Sequence, residues 1–285
     1  MGRIFLLLLI SLPLITYSQN QNETVCYNNA TPTSRQSSEI GILTHFGEGC
    51  LSSDVSVLQS DSQGLLNYGF NNRFSKGNTL VEDFSLDTEE FLSSVTFYAF
   101  KDDPRTDPVV DAVRIRIWDG APTLPDSKVI YGTLTLNRLL GATFTGNYRT
   151  NERTIPDCIR PIMEVRAEIG TSLPAGDYWL EWQFEVQNFI PPYRTPPITI
   201  LGQSETGNAI QSSDNGISYE PITDKGNGAA QGLPFVLYCA AKEPVVSTIP
   251  TMGQWGLISL SLMLLIIGVV QVKEDYTLVP QVESN

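Results

Sequence analysis

The chain has 285 residues, of which 41% are hydrophobic and 17% charged, with 22 glycines and 18 prolines. This balance argues against a disordered acidic tail, a coiled coil and a collagen-like rod. The net charge of −13 argues against a nucleic-acid partner, which needs a basic footprint, and a single histidine, His45, leaves little room for histidine-based catalysis or zinc ligation.

Residues 1–18 read as a secretory signal peptide. Arg3 supplies the positive charge, Ile4 to Ile15 form a short apolar run, and Ser18 is the small residue at the expected cleavage point. The run is too short to span a bilayer comfortably. A polar lead is expected over 19–38, followed by a folded body over 39–240.

Within the body the dominant signal is period two. Val113, Ile115 and Ile117 alternate with Arg114 and Arg116. Met163, Val165, Ala167 and Ile169 alternate with Glu164, Arg166 and Glu168. Tyr178, Leu180, Trp182, Phe184 and Val186 alternate with Trp179, Glu181, Gln183 and Glu185. One apolar face per strand predicts half-buried antiparallel strands. Weaker strand signals fall near 79–84, 92–100, 128–136, 143–149, 197–201 and 234–239, separated by turn formers such as Asp119-Gly120 and Asp214-Asn215-Gly216. The expected fold is all-β, a single antiparallel β-sandwich or jelly roll. The outward charges are expected to form a solvated face of cross-strand pairs.

Four cysteines, Cys26, Cys50, Cys158 and Cys239, predict two disulfides in an oxidising compartment, with the pairing open. Trp118 and Trp179 fall on the polar side of their strands. With Tyr193 they are candidates for a flat ligand platform, although a covering loop is the commoner fate of such rings. Asp102, Asp103 and Asp107 crowd one loop and are weak calcium candidates, since Asp and Pro also make ordinary turns. No G-x-S-x-G, HExxH, P-loop or EF-hand pattern is present, so no catalytic residue and no cofactor are assigned.

A linker over 241–248 leads to a second apolar segment. Trp255 to Val272 is 18 residues without a charge and apolar on all faces, which predicts a transmembrane helix over 253–272 and a short cytoplasmic tail over 274–285. Pro250 breaks helix at the junction, and Trp255 stands where an indole favours the headgroup interface. The block 249–273 begins Ile249-Pro250-Thr251-Met252-Gly253-Gln254-Trp255-Gly256 and runs into this helix. It resembles the IPTL-CTERM sorting signal of Gram-negative bacteria. The resemblance implies passage through the export machinery, anchoring in the inner membrane with the body outside, and recognition by an exosortase-type processing enzyme. That enzyme would read Ile249, Pro250, Thr251, Trp255 and Gly256. Two departures stand out. Met252 replaces the usual Leu, and the usual basic cluster is reduced to Lys273 followed by Glu274 and Asp275, which weakens the positive-inside lock. Anchoring is therefore expected more firmly than cleavage. The expected protein is a non-enzymatic, membrane-anchored surface protein for adhesion or for envelope or matrix association, with extracellular polysaccharide as a candidate partner. The alternatives are a secreted hydrolase on the same scaffold and a purely structural envelope protein.

Overall fold

Alternation is what builds the core. A computed structural model of the protein describes residues 23–29, 56–153, 158–186, 193–240, 256–257 and 259–267. In it Val113, Ile115 and Ile117 are fully buried, whereas Arg114 and Arg116 between them point to the opposite side of the sheet. The strands in chain order are β1 (Glu23–Asn28), β2 (Val57–Leu58), β3 (Phe70–Asn71), β4 (Thr79–Leu86), β5 (Glu90–Phe100), β6 (Ala112–Trp118), β7 (Val129–Thr133) and β8 (Leu139–Tyr148). They continue with β9 (Thr150–Asn151), β10 (Pro161–Leu173), β11 (Gly176–Glu185), β12 (Arg194–Thr195), β13 (Ile210–Ser212), β14 (Glu220–Pro221) and β15 (Phe235–Ala240). A 3-10 turn, Phe74–Lys76, leads into β4.

The strands form two large antiparallel sheets. The first runs β1-β15-β5-β10-β8, with β12 joining β3 to β5; the second runs β14-β13-β4-β11-β6-β7. A small parallel pair, β2 with β9, lies apart. The inner faces of the large sheets contribute to one apolar core, in the manner of a β-sandwich. Phe97 of β5 stacks on Trp182 of β11 with ring centroids 4.8 Å apart, and Phe235 of β15 meets both Trp182 and Phe84 of β4 at 6.2 Å. Aromatic rings at these spacings add to the burial energy of the side chains themselves.

The expected strands at 79–84, 92–100, 128–136, 143–149 and 234–239 correspond to β4, β5, β7, β8 and β15. The expected strand at 197–201 is not one. Pro196 and Pro197 have no N–H to give a ladder, and Ile198 makes one isolated bond, donating to Gly232 O at 2.8 Å. The lead expected over 19–38 also differs, because Glu23–Asn28 form the edge strand β1. Its ladder to β15 is reinforced by a disulfide and by Asn29. Cys26 is disulfide-bonded to Cys239 of β15 with Cα atoms 5.7 Å apart. Asn29 donates from its side chain to Leu233 O at 2.8 Å and accepts from Phe235 N at 2.9 Å. Cys158 is disulfide-bonded as well, and Cys50 lies outside the described residues.

One inward position breaks the apolar pattern. Glu82 stands opposite Leu180 on the core side of β4 and is 4% exposed, with its carboxylate accepting from Leu233 N at 2.7 Å. Burial pushes its pKa well above 4.5, and the nearby Asp83 adds to the rise.

The chain divides into two compact units, Met1–Lys242 and Glu243–Asn285. In the second, residues 256–257 and 259–267 are helical and exposed. Among the described residues no helix is long and apolar enough to cross a membrane. The signal segment, the remainder of 253–272 and the tail lie outside the described residues.

Two outcomes are expected from this architecture. The Cys26–Cys239 bond closes a sequence separation of 213 residues, so replacing both cysteines by serine should lower unfolding free energy by about 2–5 kcal/mol, read from urea denaturation. The second concerns Glu82. Its folded pKa is raised above 4.5, so above that pH the folded state keeps a proton that the unfolded chain releases. Stability from this group is then lost as pH rises from 4.5 toward the folded value. Glu82→Gln should flatten that decline and raise the urea midpoint at pH 7; an unchanged pH slope would show that Glu82 ionises in the fold as it does in the open chain.

Candidate functional site

The outer face of the second sheet holds the predicted aromatic pair. Register sets Trp179 of β11 opposite Trp118 of β6, and two residues along, on the same face, it sets Glu181 opposite Arg116. Both tryptophans are half-buried, on the side the alternation assigned. Trp118 is a working part of the wall rather than a free platform. Its indole N–H donates to Glu181 Oε2 at 2.8 Å, its ring meets Tyr219 edge-on at 6.2 Å, and the Arg116 guanidinium lies 5.1 Å from its ring centroid.

The cross-strand charge pairs expected here form, but the Arg116–Glu181 pair is covered rather than solvated. Glu181 is fully buried, with Arg116 Nε at 2.9 Å from Oε2 and Nη2 at 2.8 Å from Oε1. The Tyr219 hydroxyl completes the cluster, donating to Glu181 Oε2 at 3.1 Å. Burial, together with the Glu181 charge, pushes the Tyr219 phenol far up. The cover is the turn after β13. Asn215 and Gly216 adopt φ of 63° and 77°, and the Asp214 carboxylate accepts from the Ile217 and Ser218 amides at 3.0 and 2.9 Å. A Cβ at Gly216 would come within 2.1 Å of the Arg116 guanidinium, so glycine is what lets the turn close over the pair. Arg114 is paired with Glu185 and lies over the Phe74 ring at 3.9 Å, and Arg166 pairs with Glu23 of β1.

The other predicted positions are dispersed. Tyr193 is 1% exposed and belongs to the core, its hydroxyl accepting from Val109 N at 3.1 Å, so it extends no platform. The physical reason is its place just before β12, which pairs with β3 and β5 and draws the ring inward. The loop aspartates take cationic side chains. Asp102 bridges Arg160 at 2.7 Å and Arg194 at 3.0 Å, and Asp107 lies 4.0 Å from the buried Lys101. Hydrogen bonds from Arg105 hold Asp103 down to about 2. Among the described residues no group of three acidic, histidine or cysteine side chains gathers to hold a metal. Of the sorting residues, Gly256 is helical, while Ile249, Pro250, Thr251 and Trp255 lie outside the described residues.

The cavity that sequence reasoning missed lies elsewhere. A polar groove of about 620 Å³ is lined by β3 and β12 of the first sheet, by β13 and β14 of the second, and by the segment 66–69. Two buried charges fix that segment. Asp224, 2% exposed, accepts from Leu66 N at 3.0 Å and Asn67 N at 2.8 Å. Arg149, 1% exposed, donates from Nε to Tyr68 O at 3.0 Å and from Nη1 to Thr199 Oγ1 at 3.2 Å. Burial pulls the Arg149 guanidinium down to about 10. No sequence signal marked this place, because its walls are strands of two or three residues far apart along the chain.

Charge removal tests the covered pair. Arg116→Met leaves Glu181 buried without its cation and should cost about 3–5 kcal/mol of stability at pH 7, whereas Arg116→Met with Glu181→Met should recover most of that. Urea denaturation of the two single variants and the double variant measures the coupling.

The chain matches no protein-family model, no curated protein and no solved structure.

Proposed function

We propose that this is an exported bacterial surface protein, held in the inner membrane by its C-terminal helix and handled there by an exosortase-type enzyme. Its β-sandwich stands outside as a non-enzymatic module for adhesion or for envelope or matrix association. The observation that carries this reading is the conjunction, in one chain, of a leader-like segment over 1–18 and the IPTMGQWG block with its apolar run over 249–273.

Disulfide bonding supports export, since such bonds persist in oxidising compartments. The Cys26–Cys239 bond also suits a body tethered through its C-terminus. Cys239 is the penultimate residue of β15 and the one at which its ladder to β5 ends, so the covalent tie to β1 reinforces that ladder at the end of the strand nearest the linker. Two of the buried carboxylates, Glu181 and Asp224, favour a binding or structural role over acid–base chemistry. Glu181 is saturated by Arg116, Trp118 and Tyr219, and Asp224 by backbone amides.

Cell fractionation tests the anchor. Full-length protein is expected in the inner-membrane fraction with its leader removed, and a chain ending at Thr248 in the soluble exported fraction. Equal partition of the two forms would remove the anchor. Full-length protein that stays in the membrane at the mass of the leader-cleaved chain would keep the anchor and remove C-terminal processing.

A further inference from the structure

We propose that the groove between the edges of the two sheets binds a neutral carbohydrate chain. The inference deepens the reading of this protein as a surface module and rests on it for its biological setting.

Three features of the groove carry it. The first is the chemistry of the lining. Asn71, Asn78 and Gln211 present three side-chain amides, each able to donate and accept. Among the described residues these amides, with Glu220 and Lys225, engage no hydrogen-bond or ionic partner. This sets them apart from the outer face of the second sheet, where Glu181, Arg116 and Trp118 bond to one another. A sugar ring carries neighbouring hydroxyls that also donate and accept, which is the match for paired amides.

The second feature is charge. Arg194 is paired with Asp102 at 3.0 Å, a carboxylate it shares with Arg160, and the remaining lining charges, Glu220 and Lys225, have opposite signs. An anionic ligand would need an excess of cations and a metal ion a convergence of carboxylates; the groove has neither. Leu66, 61% exposed, and Pro221 add apolar surface suited to the C–H face of a pyranose.

The third feature is rigidity. Asp224 and Arg149 spend buried charge on holding the segment 66–68 by its backbone. At Gly226 a Cβ would fall 2.2 Å from Gly64 O and 2.8 Å from Leu66 Cγ, so the turn carrying Lys225 is pressed against the entry to that same segment. A wall fixed in this way binds without the cost of ordering a loop. The volume of about 620 Å³ lies within the usual range of small-ligand clefts, about 300–1,000 Å³, and suits a short oligosaccharide.

The test uses the full-length protein in detergent micelles. A panel of immobilised neutral oligosaccharides built on glucose, galactose, mannose or N-acetylglucosamine is screened beside uronic-acid polymers and extended peptides, and neutral hits are titrated in solution. Asn78→Ala and Gln211→Ala should each weaken binding of a neutral hit about tenfold, the scale of one lost hydrogen-bonding group, with an unchanged melting temperature. Trp118→Phe, which alters the covered face of the second sheet, should leave affinity unchanged. The proposal is overturned by silence across the neutral panel, by a neutral hit indifferent to both amide variants, or by preferential capture of the uronic-acid polymers or the peptides. Loss of membrane anchoring with binding intact would sink the surface reading and spare the groove; the reverse would spare the anchor and sink the groove.

Discussion

The stacking of Phe97 on Trp182 across the sheet interface fixes the orientation of everything around it. Once Trp182 faces the core, period two forces Glu181 and Gln183 to the other side of β11. The same holds for β6, where buried Ile115 and Ile117 turn Arg116 outward, opposite Glu181. A slip of one residue would send a carboxylate into the core and an indole into solvent. The aromatic contact and the outer charge pair are therefore two consequences of one register.

That register leaves the second sheet with an outer face that must be made acceptable to burial. The turn from Asp214 to Tyr219 covers it, and cover removes water from Glu181. A carboxylate in such surroundings needs its lone pairs occupied, and Arg116, Trp118 and Tyr219 occupy them. The same solution recurs at Asp224, which takes backbone amides, and at Arg149, which donates to a carbonyl and a hydroxyl. Buried charge in this fold holds loops, and the loops it holds include a wall of the polar groove.

The contrast between the two polar surfaces separates structure from recognition. On the outer face of the second sheet the side chains satisfy one another. In the groove, amides and opposite charges stand unpaired on a fixed wall, leaving their hydrogen-bonding capacity open to a ligand. The proposed surface role has use for such a surface, and the tie between Cys26 and Cys239 joins the first and last described strands of the body that displays it.

The amino-acid sequence by itself determined the all-β class and the inward faces of β6, β10 and β11, because alternation over six or more residues is a local pattern with one geometric solution. It also determined the outward side of Trp118 and Trp179. It could not announce β1, a short segment without alternation that becomes a strand through its ladder and disulfide to β15, nor rule out a strand at 197–201, where prolines outweigh an apolar pattern. Tertiary structure alone decided which outward residues stay wet. Glu181 and Tyr219 are 38 positions apart and Arg194 and Asp102 are 92 apart, and nothing local links either pair. The groove belongs to the same class, since its walls come from both sheets and from strands too short to leave a period.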